Sequence, residues 1–181
     1  MGGHAGKYAR FELERRFLLE RVPEAVRCDA GWRITDRYIV GTRMRLRRLE
    51  PLGGGETICK LARKEASAPP DSTRTTITNI YLRPGEYDVF AALPARELRK
   101  TRHRLTDDGR TYAVDVFDGT LAGLVLAEVE FETSEELERF PLPGWVVSEV
   151  SHDVRFTGGA LAALAEGEAA AFLRKVSAEG R

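Results

Sequence analysis

Charged residues in this chain are sorted by sign along stretches in which every second residue is charged. The stretch YARFELERRFLL, residues 8–19, places Glu12, Glu14 and Arg16 at alternate positions between apolar residues. In a β-strand, alternate side chains point to the same face. The three charges would therefore share one face of a strand, and Leu13 would lie on the opposite, apolar face. Arg15 alternates to that opposite face as well and is expected to be solvated.

The same alternation recurs in six further stretches, most of which carry one sign. A solvated outer face accounts for a single such strand, because antiparallel sheets are often polar on one side. Rows of like charge repel one another, however, and an ordinary surface has no reason to collect them. A closed barrel with an ionic interior and an apolar exterior packed by helices accounts for the whole pattern. The positions concerned are Arg43, Arg45, Arg47, Lys60 with Arg63 and Lys64 nearby, Lys100, Arg102, Arg104, Asp115, Glu128, Glu130, Glu132 and Glu149.

Turn signals divide the chain into about eight mostly antiparallel strands and a few helices. Asp108-Gly109 predicts a hairpin turn between two of the strands, and Pro84 predicts the first turn of a helix. After the opening stretch, strands are predicted in WRITDRYIVG, TRMRLRRLE, TICKLARKE, RTTITNIYL, ELRKTRHRL, TYAVDVFDG, LVLAEVEFE and WVVSEVS. Many short strands joined by turns indicate a sandwich or a barrel, an α+β fold that is mostly β.

The helical and irregular segments complete this organisation. A short helical turn is predicted in VPEAVR, a capped helix in SEELERF, and an amphipathic helix from about Thr157 to the end of the chain. The segment 66–73, ASAPPDST, is predicted to be a flexible loop. No linker requires a domain boundary, so a single domain is expected.

Composition excludes several classes of function. The 28 basic and 28 acidic residues balance, so no net field favours a nucleic acid or a membrane as partner. The basic rows also lack the interleaved aromatic residues typical of single-strand binders. Cys28 and Cys59 have no metal-ligand spacing, and the segment MGGHAGKYARFE lacks the apolar core of a signal peptide. These features predict a reduced, cytoplasmic protein. The loop PLGGGE lacks the lysine of a phosphate-binding P-loop.

The two kinds of charged row suggest two kinds of ligand. Carboxylate rows favour divalent cations, which prefer oxygen ligands. Arginine rows favour a polyanion, because the guanidinium fork suits phosphate oxygens. Together they predict a metal-bound phosphate chain inside the barrel.

Six segments, in order, resemble the CYTH superfamily, also called triphosphate tunnel metalloenzymes. ELERR resembles the family's opening Glu-x-Glu-x-Lys, and RMRLRR, ICKL and LRKTRHRL resemble its basic strands. YAVDVFDGTLAGLVLAEVEF and PGWVVSEVSHDVRFTGGALA are similar to its closing motifs. The resemblance covers about residues 8–164, as in the short bacterial members. It implies an eight-stranded antiparallel barrel forming a tunnel over residues 8–181, with helices outside, a C-terminal helix, and disordered residues 1–7.

The resemblance also implies an activity and a set of site residues. Family members hydrolyse inorganic or organic triphosphates, or cyclise ATP, with Mg²⁺ or Mn²⁺. Metal ligands would be Glu12, Glu14, Glu128, Glu130 and Glu149, and phosphate ligands Arg43, Arg45, Arg47, Lys60, Lys100 and Arg102. Arg16 and Lys60 would be catalytic, together with Asp115, which would orient a basic residue or water or else serve as a structural ion-pair partner.

Two positions depart from the family pattern. Arg16 stands where the family usually has lysine, and arginine keeps the charge but cannot give up a proton near neutral pH. Thr78 and Asn79 stand where many members have an acidic pair, which removes one carboxylate. Both changes leave the rate of turnover open, and the second also leaves the metal stoichiometry open.

Three functions are compatible with these residues. The first is a metal-dependent triphosphatase acting preferably on inorganic triphosphate, since the sequence shows no nucleobase pocket. The second is a nucleotide cyclase of the class IV adenylate cyclase type on the same barrel. The third is a non-catalytic domain that binds polyphosphate or a phosphorylated ligand. A homodimer is also left open by the sequence.

Overall fold

The computed structural model describes residues 9–26, 30–66 and 73–179. Residues 1–7, Cys28 and most of the predicted loop at 66–73 lie outside these ranges. The described strands are β1 (Arg10–Leu19), β2 (Trp32–Ile39), β3 (Met44–Pro51), β4 (Ile58–Ala66), β5 (Arg74–Leu82), β6 (Ala95–Asp107), β7 (Arg110–Phe117), β8 (Val125–Phe131) and β9 (Ser148–Glu149). The described helices are α1 (Pro84–Ala91), α2 (Ser134–Arg139), α3 (Gly158–Ala163) and α4 (Glu166–Glu179).

Strands β1 to β8 close into an antiparallel barrel, which confirms the predicted fold class. The strand order is β5-β4-β3-β2-β6-β7-β8-β1, and pairing of β1 with β5 closes the ring. Strand β1 shares one edge between two partners, because residues 10–13 pair with β5 and residues 17–18 pair with β9. Strand β9 therefore extends the barrel wall where β5 no longer reaches β1.

The hairpin between β6 and β7 has the predicted turn. Asp108 and Gly109 both have positive φ, at 46° and 72°. A two-residue turn with both residues in this region matches the right-handed twist of the flanking strands. The turn sets a register in which Arg102 lies opposite Asp115, so it determines which charges meet inside the barrel.

Two of the predicted helices are present as expected. Pro84 is the first residue of α1, and α2 is capped by Thr133, whose hydroxyl accepts a hydrogen bond from the Glu136 amide. The segment VPEAVR makes a single turn, closed by the Val26 amide and the Pro23 carbonyl, and not a helix. None of the helices in the described ranges is long and apolar enough to span a membrane.

The C-terminal part of the chain differs from the prediction in two places. The expected terminal helix is two helices, because Leu164 is extended and the Ala165 amide is bound by the Glu168 carboxylate, which starts α4. The expected strand WVVSEVS is reduced to β9. Its preceding residues form a turn in which the Val146 amide bonds the Pro143 carbonyl, and β1 offers only a short free edge for pairing.

Apolar clusters cover the outside of the barrel in two places. One lies under α2 and surrounds Phe17, which is fully buried. The other lies under α1 and surrounds Leu46, also fully buried. These clusters contain the outward residues of strands whose alternate residues are charged, as the alternation predicts.

A third apolar cluster fills the interior at the end of the barrel where β1 finishes and β8 begins. Leu18 and Leu126 lie opposite each other on the inward face, and Phe117 lies opposite Lys100. The C-terminal segment adds Phe156 and residues of α3 and α4 to the same cluster. The charged part of the interior is therefore bounded by an apolar end.

We expect Leu126→Ala to lower the free energy of unfolding by about 2–5 kcal/mol, because it leaves a cavity in this interior cluster. Leu126 is 2% exposed, whereas Ile80 on β5 is 54% exposed, so Ile80→Ala is the matched control. Urea unfolding measures both variants. Equal losses in the two would show that the end of the barrel is not packed as described.

Candidate active site

A cavity of about 1760 Å³ occupies the inside of the barrel. It is lined by side chains of both signs, which agrees with the predicted ionic interior. The predicted site residues on its lining are Glu12, Glu14, Arg16, Arg43, Arg45, Arg47, Lys60, Lys100, Arg102, Glu128 and Glu130. Asp115 and Glu149 are not part of this lining.

One wall of the cavity is acidic. Glu12 and Glu14 project from β1, and Glu14 lies directly opposite Glu130 of β8. Like charges at such positions destabilise a sheet unless a cation lies between them. Lys64 of β4 supplies one cation, with its Nζ 3.1 Å from Glu14 Oε1 and 3.6 Å from Glu12 Oε2. Glu130 is more exposed and lies 3.7 Å from a guanidinium nitrogen of Arg10.

The chemistry of this wall fits a hard divalent cation. Carboxylates on neighbouring inward positions are the ligands that Mg²⁺ and Mn²⁺ prefer. Among the described residues, no three acidic, histidine or cysteine side chains already converge on a single point. Glu12, Glu14 and Glu130 are the carboxylates of this wall that could hold such an ion, and their present partners are Lys64, Arg16 and Arg10.

A buried network of ion pairs lies deeper in the barrel, beside the acidic wall. Arg16 donates to Glu128 at 2.9 Å, to Glu14 at 3.0 Å and to the carbonyl of Phe156 at 3.3 Å. Arg102 donates to Glu128 at 2.5 Å. Burial opposes ionisation of Glu128, but the two guanidiniums hold its pKa well below the usual range. Both oxygens of Glu128 are therefore bound by arginine. Arg16 is held by Glu128 and Glu14 and does not extend freely into the cavity.

Asp115 binds two of the inward basic residues of β6. Arg102 donates to both of its oxygens, at 2.6 and 2.7 Å, and the Lys100 ammonium donates to the second of them. Asp115 is 1% exposed. These ion pairs fit both roles considered for Asp115 from the sequence, orientation of a basic residue and a structural ion-pair partner.

A second buried carboxylate, Asp36 of β2, was missed by the sequence analysis. Arg47 donates to its two oxygens at 2.6 Å each, and Arg45 Nε lies 3.5 Å away. Burial opposes ionisation of Asp36, yet the two arginines hold its pKa far below the usual range. The available signal was a single acid alternating with Ile34 and Tyr38, which is too weak to separate an interior acid from a surface one.

Lys60 of β4 lines the cavity beside these arginines. Among the described residues it has no hydrogen bond or ion pair. Partial burial, with repulsion from Arg47 and Arg45, lowers the pKa of its ammonium to about 8. The Lys60 ammonium is therefore a cation of the cavity without an ion-pair partner among the described residues, and its expected roles in phosphate binding and catalysis stay predictions.

Glu149 does not lie with the predicted metal ligands. It is opposite Phe17 on the outer face of the barrel, where Arg15 donates to its Oε1 at 2.9 Å and the Ser151 hydroxyl donates at 2.6 Å. The prediction that Arg15 is solvated is wrong, because its side chain is 11% exposed and also binds the Phe140 carbonyl. Arg15 does point away from the cavity, as expected.

Three other predicted residues lie in less central places. Arg43 is at the rim, 66% exposed and 3.0 Å from Glu65. Asn79 faces inward opposite Ala62, whereas Thr78 alternates to the outer face. The Oδ1 atom of Asn79 is buried and has no hydrogen-bond partner in the described part of the chain.

The sequence and the fold were compared with those of known proteins. No family model matches the chain. The chain is 30% identical over 156 residues to an inorganic triphosphatase of Nitrosomonas europaea, covering 83% of this chain and 96% of that protein. A crystal structure of an inorganic triphosphatase matches with a TM-score of 0.58 and 26% identity, over 85% of this chain and 95% of the other. A candidate adenylate cyclase of Bacillus halodurans, at 15% identity and TM-score 0.51, shares 72% of this chain and 86% of its own, and shows likeness of fold alone.

We expect Asp36→Asn to lower the free energy of unfolding by about 3–5 kcal/mol at neutral pH, because it leaves two buried arginines without their carboxylate. The pKa of Asp36 is depressed in the folded state. Its stabilisation is therefore present above the unfolded-state pKa near 4 and is lost as the pH falls towards the folded-state value.

Urea unfolding at a series of pH values between 7 and 3 measures this difference. The control is Asp88→Asn, at an exposed position on α1, which should change stability by less than about 0.5 kcal/mol. A gap between wild type and Asp36→Asn that stayed constant down to pH 3 would contradict the buried ion pair.

Proposed function

Because this chain belongs to the CYTH superfamily of triphosphate tunnel metalloenzymes, we propose that it hydrolyses inorganic triphosphate, or a small organic triphosphate, inside the barrel. The observation that carries the proposal is a single cavity in which basic side chains of β3, β4 and β6 face an acidic wall on β1 and β8. Hydrolysis of a triphosphate requires its negative charges to be neutralised and its phosphorus atoms to be aligned. This cavity provides fixed positive charge for that purpose.

We assign phosphate binding to five inward basic residues. Arg45, Arg47 and Lys60 belong to β3 and β4, and Lys100 and Arg102 belong to β6. Asp36 and Asp115 hold four of these five, so their positions are set before substrate enters. Preorganised charge of this kind stabilises a transition state without the cost of reorganisation during the reaction. Arg43, at the rim, would meet the substrate as it enters.

We assign the divalent cation, Mg²⁺ or Mn²⁺, to the carboxylates of Glu12, Glu14 and Glu130. When bound, such an ion neutralises phosphate charge and can position the attacking water. Glu149 is left out of the set because Arg15 holds it on the outer face. Glu128 is left out because Arg16 and Arg102 occupy both of its oxygens.

Arg16 acts in this scheme as a positioning residue. Its guanidinium holds Glu14 and Glu128 and bonds the Phe156 carbonyl at the apolar end of the barrel. A lysine at this position has one compact ammonium and cannot make the same set of planar contacts. We propose that Arg16 sets the orientation of the acidic wall, and that triphosphate hydrolysis proceeds without a proton from residue 16.

The cytoplasmic location and the lack of nucleic-acid or membrane partners stay predictions.

We expect phosphate release from inorganic triphosphate in the presence of Mg²⁺ or Mn²⁺, and its loss when the metal is chelated. The double variant Glu12→Gln/Glu14→Gln should lose at least about a hundredfold in kcat/KM, because the carboxylates no longer supply charge to the cation. The assay compares inorganic triphosphate, ATP and thiamine triphosphate as substrates.

The matched control is Glu20→Gln/Glu24→Gln, two exposed acids outside the barrel, which should retain wild-type rates. Binding of triphosphate without any phosphate release would refute the enzyme and indicate a binding domain. Selective use of ATP with release of pyrophosphate would instead indicate a cyclase.

We expect kcat/KM for inorganic triphosphate to fall as the pH rises above about 8, because Lys60 loses its charge with a pKa of about 8. Lys60→Met should lower kcat/KM at pH 7 by roughly 10- to 100-fold, the effect of removing one charged hydrogen bond. Lys60→Arg keeps the positive charge at all pH values tested and should extend activity to higher pH. The measurement is kcat/KM between pH 6.5 and 9.5, and identical profiles for wild type and Lys60→Arg would exclude Lys60 as the titrating group.

A further inference from the structure

Lys64 occupies the position in the acidic wall where a cation is most needed. Its ammonium lies 3.1 Å from Glu14 Oε1 and 3.6 Å from Glu12 Oε2. The side chain lines the cavity and is 36% exposed. The protein therefore places its own monovalent cation between two carboxylates that share one face of β1.

A second observation at the same place points to a ligand. Thr75 of β5 lies directly opposite Glu12, lines the cavity and is 6% exposed. Its Oγ1 is buried and has no hydrogen-bond partner among the residues that the structure describes. A buried hydroxyl without a partner is unfavourable, and a hydroxyl oxygen is an acceptable ligand for a hard cation. The wall thus offers one oxygen that the protein itself does not satisfy.

We propose that Lys64 is a displaceable counter-ion, which holds Glu12 and Glu14 until a divalent cation takes its place beside Thr75. The displaced Lys64 ammonium then binds the triphosphate. The inference rests on the proposed function, because it takes Glu12 and Glu14 as ligands of the cation. It adds a substrate-binding residue, Lys64, and a neutral ligand, Thr75, to that site.

The exchange follows from charge and reach. A divalent cation and an ammonium at the same two carboxylates repel each other, so binding of the first displaces the second. The residue between the two lysines on the inward face of β4 is Ala62, which is 1% exposed and has a short side chain. The released Lys64 ammonium can therefore turn towards the phosphate site that Lys60 lines. Binding of the metal and binding of the triphosphate are therefore coupled, since both favour the Lys64 side chain turned away from Glu12 and Glu14.

Lysine suits this exchange better than arginine does. An ammonium holds a carboxylate as a point charge on a flexible stem, whereas a guanidinium can hold it through two parallel hydrogen bonds. Lys64→Arg should therefore be harder for the metal to displace, although its charge is unchanged. This difference separates direct competition from a general effect of positive charge.

Titration calorimetry with Mn²⁺ alone, in the absence of triphosphate, tests the proposal. Lys64→Met should bind Mn²⁺ at least about fivefold more tightly than wild type, the lower end of typical coupling between two sites, and Lys64→Arg should bind it more weakly. The matched control is Arg63→Met, which removes the same charge from the outer face of β4, where Arg63 is 51% exposed and pairs with Glu65. The control should stay within twofold of wild type.

For the affinity for triphosphate, the proposal predicts the opposite effect of removing Lys64. At saturating Mn²⁺, Lys64→Met should bind inorganic triphosphate roughly 10-fold more weakly, because one charged contact is lost. Thr75→Val should weaken Mn²⁺ binding, and Thr75→Ser, which keeps the hydroxyl, should restore it. Unchanged Mn²⁺ affinity in Lys64→Met, or weaker binding than wild type, would overturn the counter-ion role. Unchanged affinity in Thr75→Val would remove Thr75 from the site.

Glu12→Gln separates failure of this inference from failure of the proposed function. If Glu12→Gln loses Mn²⁺ affinity while Lys64→Met does not change it, the metal site stands and the role of Lys64 is refuted. If Glu12→Gln binds Mn²⁺ like wild type, the proposed metal site is wrong and the inference fails with it. Urea unfolding midpoints close to wild type confirm that each variant is folded.

Discussion

The buried network around Glu128 is the interaction on which the rest of the interior depends. Arg16 and Arg102 both donate to this carboxylate, and Arg102 continues through Asp115 to Lys100. Charges removed from water are costly unless each has an opposite partner with good geometry. The barrel meets this condition by pairing each of the buried carboxylates Asp36, Asp115 and Glu128 with a basic side chain of a neighbouring or nearby strand. Its interior therefore remains ionic, while apolar clusters pack outside the barrel and at one end. A cavity able to hold a polyanion follows from that division.

The sequence predicted the barrel and most of its inward charges because both depend on a period of two. Glu12 and Lys100 sit in long strands, where alternation continues over several residues and leaves no doubt about which face each occupies. Asp36 was missed because one acid among apolar and polar neighbours forms no row. Its partner Arg47 was found, but pairing between them depends on the register of β2 with β3, which alternation alone does not supply.

Glu149 and Arg15 show where this kind of reasoning ends. A strand of two residues has no pattern from which to read a face, and only the pairing of β9 with β1 places Glu149 outside the barrel. Arg15 was correctly placed on the outer face, but its burial depends on Glu149 and on the Phe140 carbonyl, which are distant in sequence. The break between α3 and α4 has a similar origin, because a single capping contact by Glu168 decides it.

The acidic wall lies beside the short β1–β5 pairing that closes the barrel. The ladder that closes the barrel between β1 and β5 spans four residues of each strand, whereas that between β4 and β5 spans eight. Short ladders open at lower free-energy cost than long ones, so this closure is a natural place for local opening. Glu12 and Thr75 face each other across it. An ion held by both would join the two strands, so that occupying the site and keeping the cylinder shut become one and the same event.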